Sequence, residues 1–203
     1  MDSFIKNRNT STLYVVYDHD DLEYIRYFTN NENYLNSNGI YGIQNEINFN
    51  NAFLHIMNHY SQEKAKEFEM IGFLEDDCVI QTKNFDDLIS RFTENVVYTN
   101  DLLNTPRIVS LPVLRSEIIL KLGFYSPPEI KCLWGDYYWK MLGEETRSIK
   151  YLENVIISHE HYSVTGEAKD AISEAVDSIG NEDYYGYNNN LEKIKQKIRS
   201  LNE

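Results

Sequence analysis

Apolar residues along this chain come in two rhythms, short compact runs and longer stretches with three- and four-residue recurrence. Leu13-Tyr14-Val15-Val16-Tyr17 and Met70-Ile71-Gly72-Phe73-Leu74 are compact runs closed by polar residues, the signature of buried strands. Asn95 to Tyr98 and Ser148 to Ile157 read the same way, and Met70 to Leu74 reads as a central strand. Helical recurrence marks Leu22 to Phe28, Ile47 to His59 (through Phe49, Phe53, Ile56 and Met57), Phe85 to Phe92, Ser116 to Leu122 closed by Gly123, and a helix from about Leu133 to Leu142 before Gly143. Asn30 to Asn38 is polar and Asn-rich, so a loop is expected there. Strands alternating with helices predict an α/β layered domain.

The C-terminal part changes character. Thr165 to Asn190 is polar and rich in Gly, Asp and Asn, which predicts a flexible or wrapping segment. Beyond it Leu191, Ile194, Ile198 and Leu201 share one helical face and leave Lys193, Lys195, Lys197 and Arg199 outside. The expected organisation is therefore one domain over 1–163, with residues 164–203 forming a polar segment and an amphipathic helix packed on it. At 203 residues and 42% hydrophobic content the chain is long enough for one substantial core, and it contains no internal repeat.

Charge and cysteine content narrow the function. The net charge of −13 repels polyphosphates, so nucleic acid is disfavoured as a partner. No stretch approaches the roughly 18 apolar residues of a membrane span, and the start lacks the basic and apolar regions of a signal peptide. A soluble cytoplasmic protein is expected, with Cys78 and Cys132 as reduced thiols.

Candidate chemistry gathers where strands end. One strand ends in Asp18-His19-Asp20-Asp21, a second in Glu75-Asp76-Asp77, a third in Ser158-His159-Glu160-His161. In open α/β sheets ligands bind beyond the carboxyl ends of strands, so the three clusters could share a cleft. Consecutive carboxylates are costly unless solvent, protons or a cation relieve them, and Mg²⁺ or Mn²⁺ favours oxygen ligands. Asp77 is the leading metal ligand, with Glu75 on the same side of an extended backbone, Asp76 pointing elsewhere toward a ribose or sugar hydroxyl, and His159 supplying an imidazole. Asp136 is either a helix N-cap or a general base beside Trp134, whose ring offers an apolar platform for a sugar. Asp18, Asp20 and Asp21 either cap the following helix or bind a base or ribose. P-loop, dinucleotide-binding, serine-hydrolase and zinc-ribbon motifs are all missing.

Several blocks together resemble the small GT-A glycosyltransferases of bacteria and phages, relatives of the family 2 enzymes. They are Val15 to Asp21, Ile71 to Asp77, Val97-Tyr98 with Asp101-Leu102-Leu103, Leu122 to Pro128, Trp134-Gly135-Asp136 with Trp139 and Leu142-Gly143, and Tyr151-Leu152 through Ile157 to His159 and His161. The resemblance covers about Ser3 to Tyr187. It implies a GT-A-like, Rossmann-like α/β/α domain with a mainly parallel mixed sheet and an inverting transfer from a nucleotide-diphosphate sugar to an acceptor hydroxyl. It also implies Mn²⁺ or Mg²⁺ on Glu75, Asp77 and His159, with Asp136 as the base. Asp18, Asp20, Asp76, Arg115, Trp134 and Gly135 complete the expected substrate contacts, and the acceptor is a glycan, a protein or a small molecule. Family members usually begin with a strand that carries part of the nucleotide pocket; the sequence lacks that first strand, leaving the pocket to be completed otherwise, as by a second copy in a homo-oligomer. Two other readings follow: a noncatalytic binding or assembly module of the same fold, and a phage-type enzyme that glycosylates DNA bases.

Overall fold

In the computed structural model, residues 1–46, 52–161, 166 and 171–202 are described. The chain runs α1 (Asp2–Asn7), β1 (Leu13–Asp18), α2 (Leu22–Ser37), β2 (Ile40–Asn45), α3 (Phe53–Lys64), β3 (Met70–Gly72), β4 (Cys78–Ile80), α4 (Phe85–Ser90), β5 (Val96–Asn100), β6 (Pro112–Arg115), α5 (Ser116–Leu122), α6 (Gly135–Glu145), β7 (Ile149–His159) and α7 (Ala171–Arg199). The α/β expectation holds, and five strands form a mixed sheet in the order β3-β6-β5-β7-β4.

Two features of that sheet correct the expectation. Only β5 and β7 pair in parallel; β3 with β6, β6 with β5, and β7 with β4 are antiparallel, so the pairing is not mainly parallel. The strand leading to Glu75 is not central either: β3 stands at one end of the five-stranded order. The cause is the two short strands β4 and β6, which return against their neighbours and whose few residues leave no alternating pattern to read. β1 and β2 form a separate two-stranded parallel sheet, from Leu13 opposite Ile40 to Asp18 opposite Asn45.

Core side chains lie on both faces of the main sheet. Along β5, Val96 and Tyr98 join one apolar cluster while Val97 joins the other, as strand alternation requires. The first cluster takes in Leu114, Ile119, Trp139 and Ile198; the second holds Phe4, Phe28, Ile40, Phe85 and Ile157. Phe28 and Ile40 belong to α2 and β2, so side-chain packing ties the small sheet to the large one.

Helix boundaries show where local chemistry overrode composition. Ser116–Leu122 forms as expected, closed by Gly123 at φ 75°. The expected loop over Asn30–Asn38 is instead the second half of α2. Thr29 Oγ1 donates to the Ile25 carbonyl and Asn31 Nδ2 to the Tyr27 carbonyl, both at 2.8 Å, so polar side chains fold back on the preceding turn. Buried Phe28 and Leu35 supply the packing that outweighs the weak helix propensity of Asn. The helix expected over Ile47 to His59 begins at Phe53, and residues 47–51, including Phe49, lie outside the described residues. Gly143 lies inside α6 rather than ending it.

The segment Thr165 to Asn190, expected to be flexible or wrapping, is helical from Ala171 onward; residues 165 and 167–170 lie outside the described ones. Glu174, Ser178, Asn181, Glu182, Asn188 and Asn189 lie exposed on α7 and Asp183 is buried, while Tyr187, Ile194 and Ile198 are buried in the first cluster and the basic residues stay outside, as expected. No helix among the described residues is long and apolar enough to cross a membrane.

Candidate functional site

The site is assembled by loops stitched to the end of β7. After β3 the chain passes through Phe73 and Leu74 and turns at Glu75–Cys78, where the Cys78 amide donates to the Glu75 carbonyl at 3.1 Å. β4 then pairs with the end of β7, Cys78 opposite His159. The Glu160 amide donates to the Asp77 carbonyl at 3.0 Å, and the His159 amide to the Asp101 carbonyl at 3.1 Å. Three strand ends thus share backbone hydrogen bonds. Glu75 and Asp77 face one point because of this turn, and not because an extended backbone alternates.

His159 Nε2 lies 3.1 Å from Glu75 Oε2 and 3.1 Å from Asp77 Oδ2. The ring is thus ion-paired with both carboxylates, while its two nitrogens and Asp77 Oδ1 are buried without a hydrogen bond of good geometry. One ligand atom from each of the three residues fits within a 4.8 Å span. Ligand atoms of carboxylate and imidazole type, this close together, suit a divalent cation such as Mn²⁺ or Mg²⁺. The Glu75 carboxylate chiefly, with Asp77 and Asp101, pushes His159 up to about 9 against the opposing effect of burial. Burial raises the Asp77 carboxyl above its ordinary value, His159 opposes the rise, and Glu75 and Asp76 add to it.

Asp136 stands in the first turn of α6 behind an unusual entry. Trp134 is the cap residue at φ 71°, no side chain makes a cap hydrogen bond, and Gly135 packs so closely that a Cβ there would sit 2.7 Å from the Trp139 ring. Asp136 is therefore not an N-cap. Burial pushes its carboxyl up to about 6, Glu75 and Asp101 add to the rise, and its own amide and His159 oppose it. A carboxyl that titrates near neutrality and feels the charges of Glu75, Asp101 and His159 has the properties of a general base.

Asp101 went unrecognised as a site residue in the sequence. It is fully buried. Its Oδ1 accepts from the amides of Leu103, Asn104 and Thr105 and from Thr105 Oγ1, and its Oδ2 accepts from Ser110 Oγ at 2.6 Å. Burial alone would raise its pKa, but the hydrogen bonds from Ser110, Thr105 and Leu103 bring it down to about 2. It remains a carboxylate that fixes the loop after β5 and, through its carbonyl, the His159 backbone. Asp183 is a second unread residue: it is 1% exposed and accepts from the amides of Lys131, Cys132 and Leu133, all at 2.7 Å, just ahead of Trp134. The partners of both are backbone amides brought near by a turn or a distant helix.

The remaining candidates divide. Asp18, the last residue of β1, and Asp20 beyond it are exposed, and Asp18 Oδ1 accepts from Asn45 Nδ2 at 3.3 Å, while Tyr60 Oη donates to Asn45 Oδ1 at 3.2 Å. Asp21 caps α2 through the Glu23 and Tyr24 amides. Asp76 is exposed and, after burial, is the leading charge that raises the Tyr24 hydroxyl, so it faces the start of α2. Arg115 does not join the site: it ends β6 opposite Met70, where β3 begins, and its guanidinium pairs with Glu69 at 2.7 Å. The antiparallel return of β6 puts it at the opposite end of β3 from Glu75. A recess of about 560 Å³ lies between α6 and α7 at Met141, Glu144, Tyr187 and Lys195, apart from Glu75, Asp77 and His159. Cys78 and Cys132 form no disulfide. Comparison with protein-family models, curated proteins and solved structures finds no match to this chain.

Proposed function

We propose that the protein is a metal-dependent glycosyltransferase that moves a sugar from a nucleotide-diphosphate donor to an acceptor hydroxyl with inversion. The observation that carries the proposal is the grouping of Glu75, Asp77 and His159, whose ligand-type atoms lie within 4.8 Å of one another, in the field of the raised Asp136 carboxyl. Bound Mn²⁺ or Mg²⁺ supplies charge neutralisation for the departing diphosphate. Asp136 takes the proton of the acceptor hydroxyl as its oxygen bonds to the anomeric carbon and the bond to the diphosphate breaks. Asp101 stays ionised, holding the loop and the backbone on which His159 stands. Asp18, Asp20 and Asp76, exposed at or beyond the ends of β1 and β3, are the acceptors available to ribose or sugar hydroxyls.

The test is calorimetric titration of UDP, GDP and their sugar conjugates, with and without Mn²⁺, into wild type and Asp77→Ala. Mn²⁺-dependent binding that the variant loses is expected; undiminished binding in the variant removes the metal assignment. One observation favours a noncatalytic binding module of the same fold. β1, which carries Asp18, is not in the sheet that carries Glu75 and Asp77. Metal binding without any nucleotide binding selects that reading.

A further inference from the structure

Four aromatic rings from two separate parts of the chain meet beside Asp136. Trp134 and Tyr137 come from the start of α6, Tyr184 and Tyr187 from α7. The Trp134 ring centre lies 5.0 Å from that of Tyr137, 5.1 Å from Tyr184 and 6.3 Å from Tyr187, the last nearly parallel at 20°. Core packing does not account for all four. Tyr138, Trp139 and Tyr187, at 0%, 2% and 8% exposure, show what packing does to rings in these helices, whereas Tyr137 and Tyr184 remain 49% and 43% exposed.

The rings are also held from below. The buried Asp183 carboxylate accepts the three amides of Lys131, Cys132 and Leu133, and Glu182 pairs with Lys131 at 2.6 Å. Gly186 lets α7 approach so closely that a Cβ there would collide with the Glu129 carbonyl, and a Cβ on Gly180 would sit 3.1 Å from Leu133. The short loop before Trp134 is thereby clamped to α7, and the exposed rings keep their spacing without a ligand. Such preorganisation removes much of the ordering cost of binding.

We propose that this ring cluster binds the pyranose ring of a neutral saccharide, which serves as the acceptor. A pyranose has an apolar C–H face and a rim of hydroxyls. These rings offer π faces for the first and an indole N–H and phenol hydroxyls for the second. Anionic ligands are opposed by the Asp183 carboxylate on the same helix and by the net charge of −13. Only Gly135 separates Trp134 from Asp136, so their Cα atoms are no more than about 7.6 Å apart. The rings thus stand at the helix start that carries the proposed base. The acceptor role rests on the glycosyltransferase reading, whereas saccharide binding does not.

Saturation-transfer NMR tests this on metal-free wild type, Tyr137→Ala, Tyr184→Ala and the double variant. The probes are the methyl glycosides of glucose, galactose, mannose, rhamnose and N-acetylglucosamine. At least one should bind in the millimolar range, and each single variant should weaken it about five-fold or more with an unchanged far-UV spectrum. No response from any of the five, or an affinity that the double variant leaves unchanged, overturns the platform. The same samples are titrated with Mn²⁺ and UDP. Saccharide binding without Mn²⁺ or UDP binding keeps the platform and removes the transferase, whereas Mn²⁺ and UDP binding without any saccharide response does the reverse.

Discussion

Replacing Asp136 by Asn should stabilise the metal-free protein at neutral pH. The carboxyl's ordinary value is 3.8 and in the fold it reaches about 6, chiefly through burial. The folded state therefore holds this proton more tightly than the unfolded chain does. Stability falls as pH rises from about 4 to about 6 and is level above that, because the folded protein must then keep an ionised carboxyl in a poorly solvated place. At about 1.36 kcal/mol per pH unit the difference amounts to about 3 kcal/mol. Asp136 keeps partial contact with solvent, and screening lowers the expected gain for Asn to about 1–2 kcal/mol. Asn also keeps a carbonyl oxygen for its own amide. Urea unfolding in EDTA at intervals from about pH 4 to 8 measures the difference, which should be near zero at the acid end and full by about pH 7. A variant less stable than wild type at pH 8, or a gain that does not change with pH, refutes the account of Asp136 as a destabilised carboxylate. The same substitution should leave donor affinity intact and lower transfer by several orders of magnitude, read by donor turnover.

Three further outcomes are expected. Because His159 sits near 9 without a cation and must lose its proton to ligate one, Mn²⁺ affinity should rise about tenfold per unit from about pH 6.5 to 8.5; paramagnetic titration showing a flat profile excludes His159 as a ligand. Asp101, lowered to about 2, contributes stability that is complete above its ordinary 3.8 and lost as pH falls through 2, so Asp101→Asn should cost about 2 kcal/mol in urea unfolding at pH 7. Gly186→Ala should lower stability by about 1–3 kcal/mol because its Cβ meets the Glu129 backbone, reversing the usual gain of Ala over Gly inside a helix; a raised melting temperature contradicts the close approach.

The residues that can be read from sequence are those whose role shows locally. Leu13 to Tyr17, Val96 to Tyr98 and Ser116 to Leu122 announce their elements through run length and a closing Gly, and all three formed close to their expected bounds. Pro112–Arg115 and Cys78–Ile80 are strands only because longer neighbours accept them, and nothing in so few residues distinguishes them from loop. Their return reversed most of the pairing and carried Arg115 away from the carboxylates. Glu75, Asp77 and His159 were visible as polar residues ending apolar runs, and the fold brings them together. Asp101 and Asp183 were invisible as site residues because a carboxylate that collects backbone amides has no sequence partner to count.

The division into two sheets has a mechanical consequence. Hydrogen bonds between strands are directional and fix register, whereas the packing of Phe28 and Ile40 in one apolar cluster with Val97 and Ile157 is non-directional. Among the described residues, no backbone hydrogen bond joins β1 or β2 to the five-stranded sheet. The acids at the end of β1 are therefore placed against the Glu75–Asp77–His159 group by side-chain packing and by the Asp86 carboxylate, which accepts from the Asn9, Thr10 and Ser11 amides just ahead of β1. In the proposed site, the distance between those acids and the metal ligands is thus a property of core packing, and substitutions at Phe28 or Ile40 should alter it without touching either group.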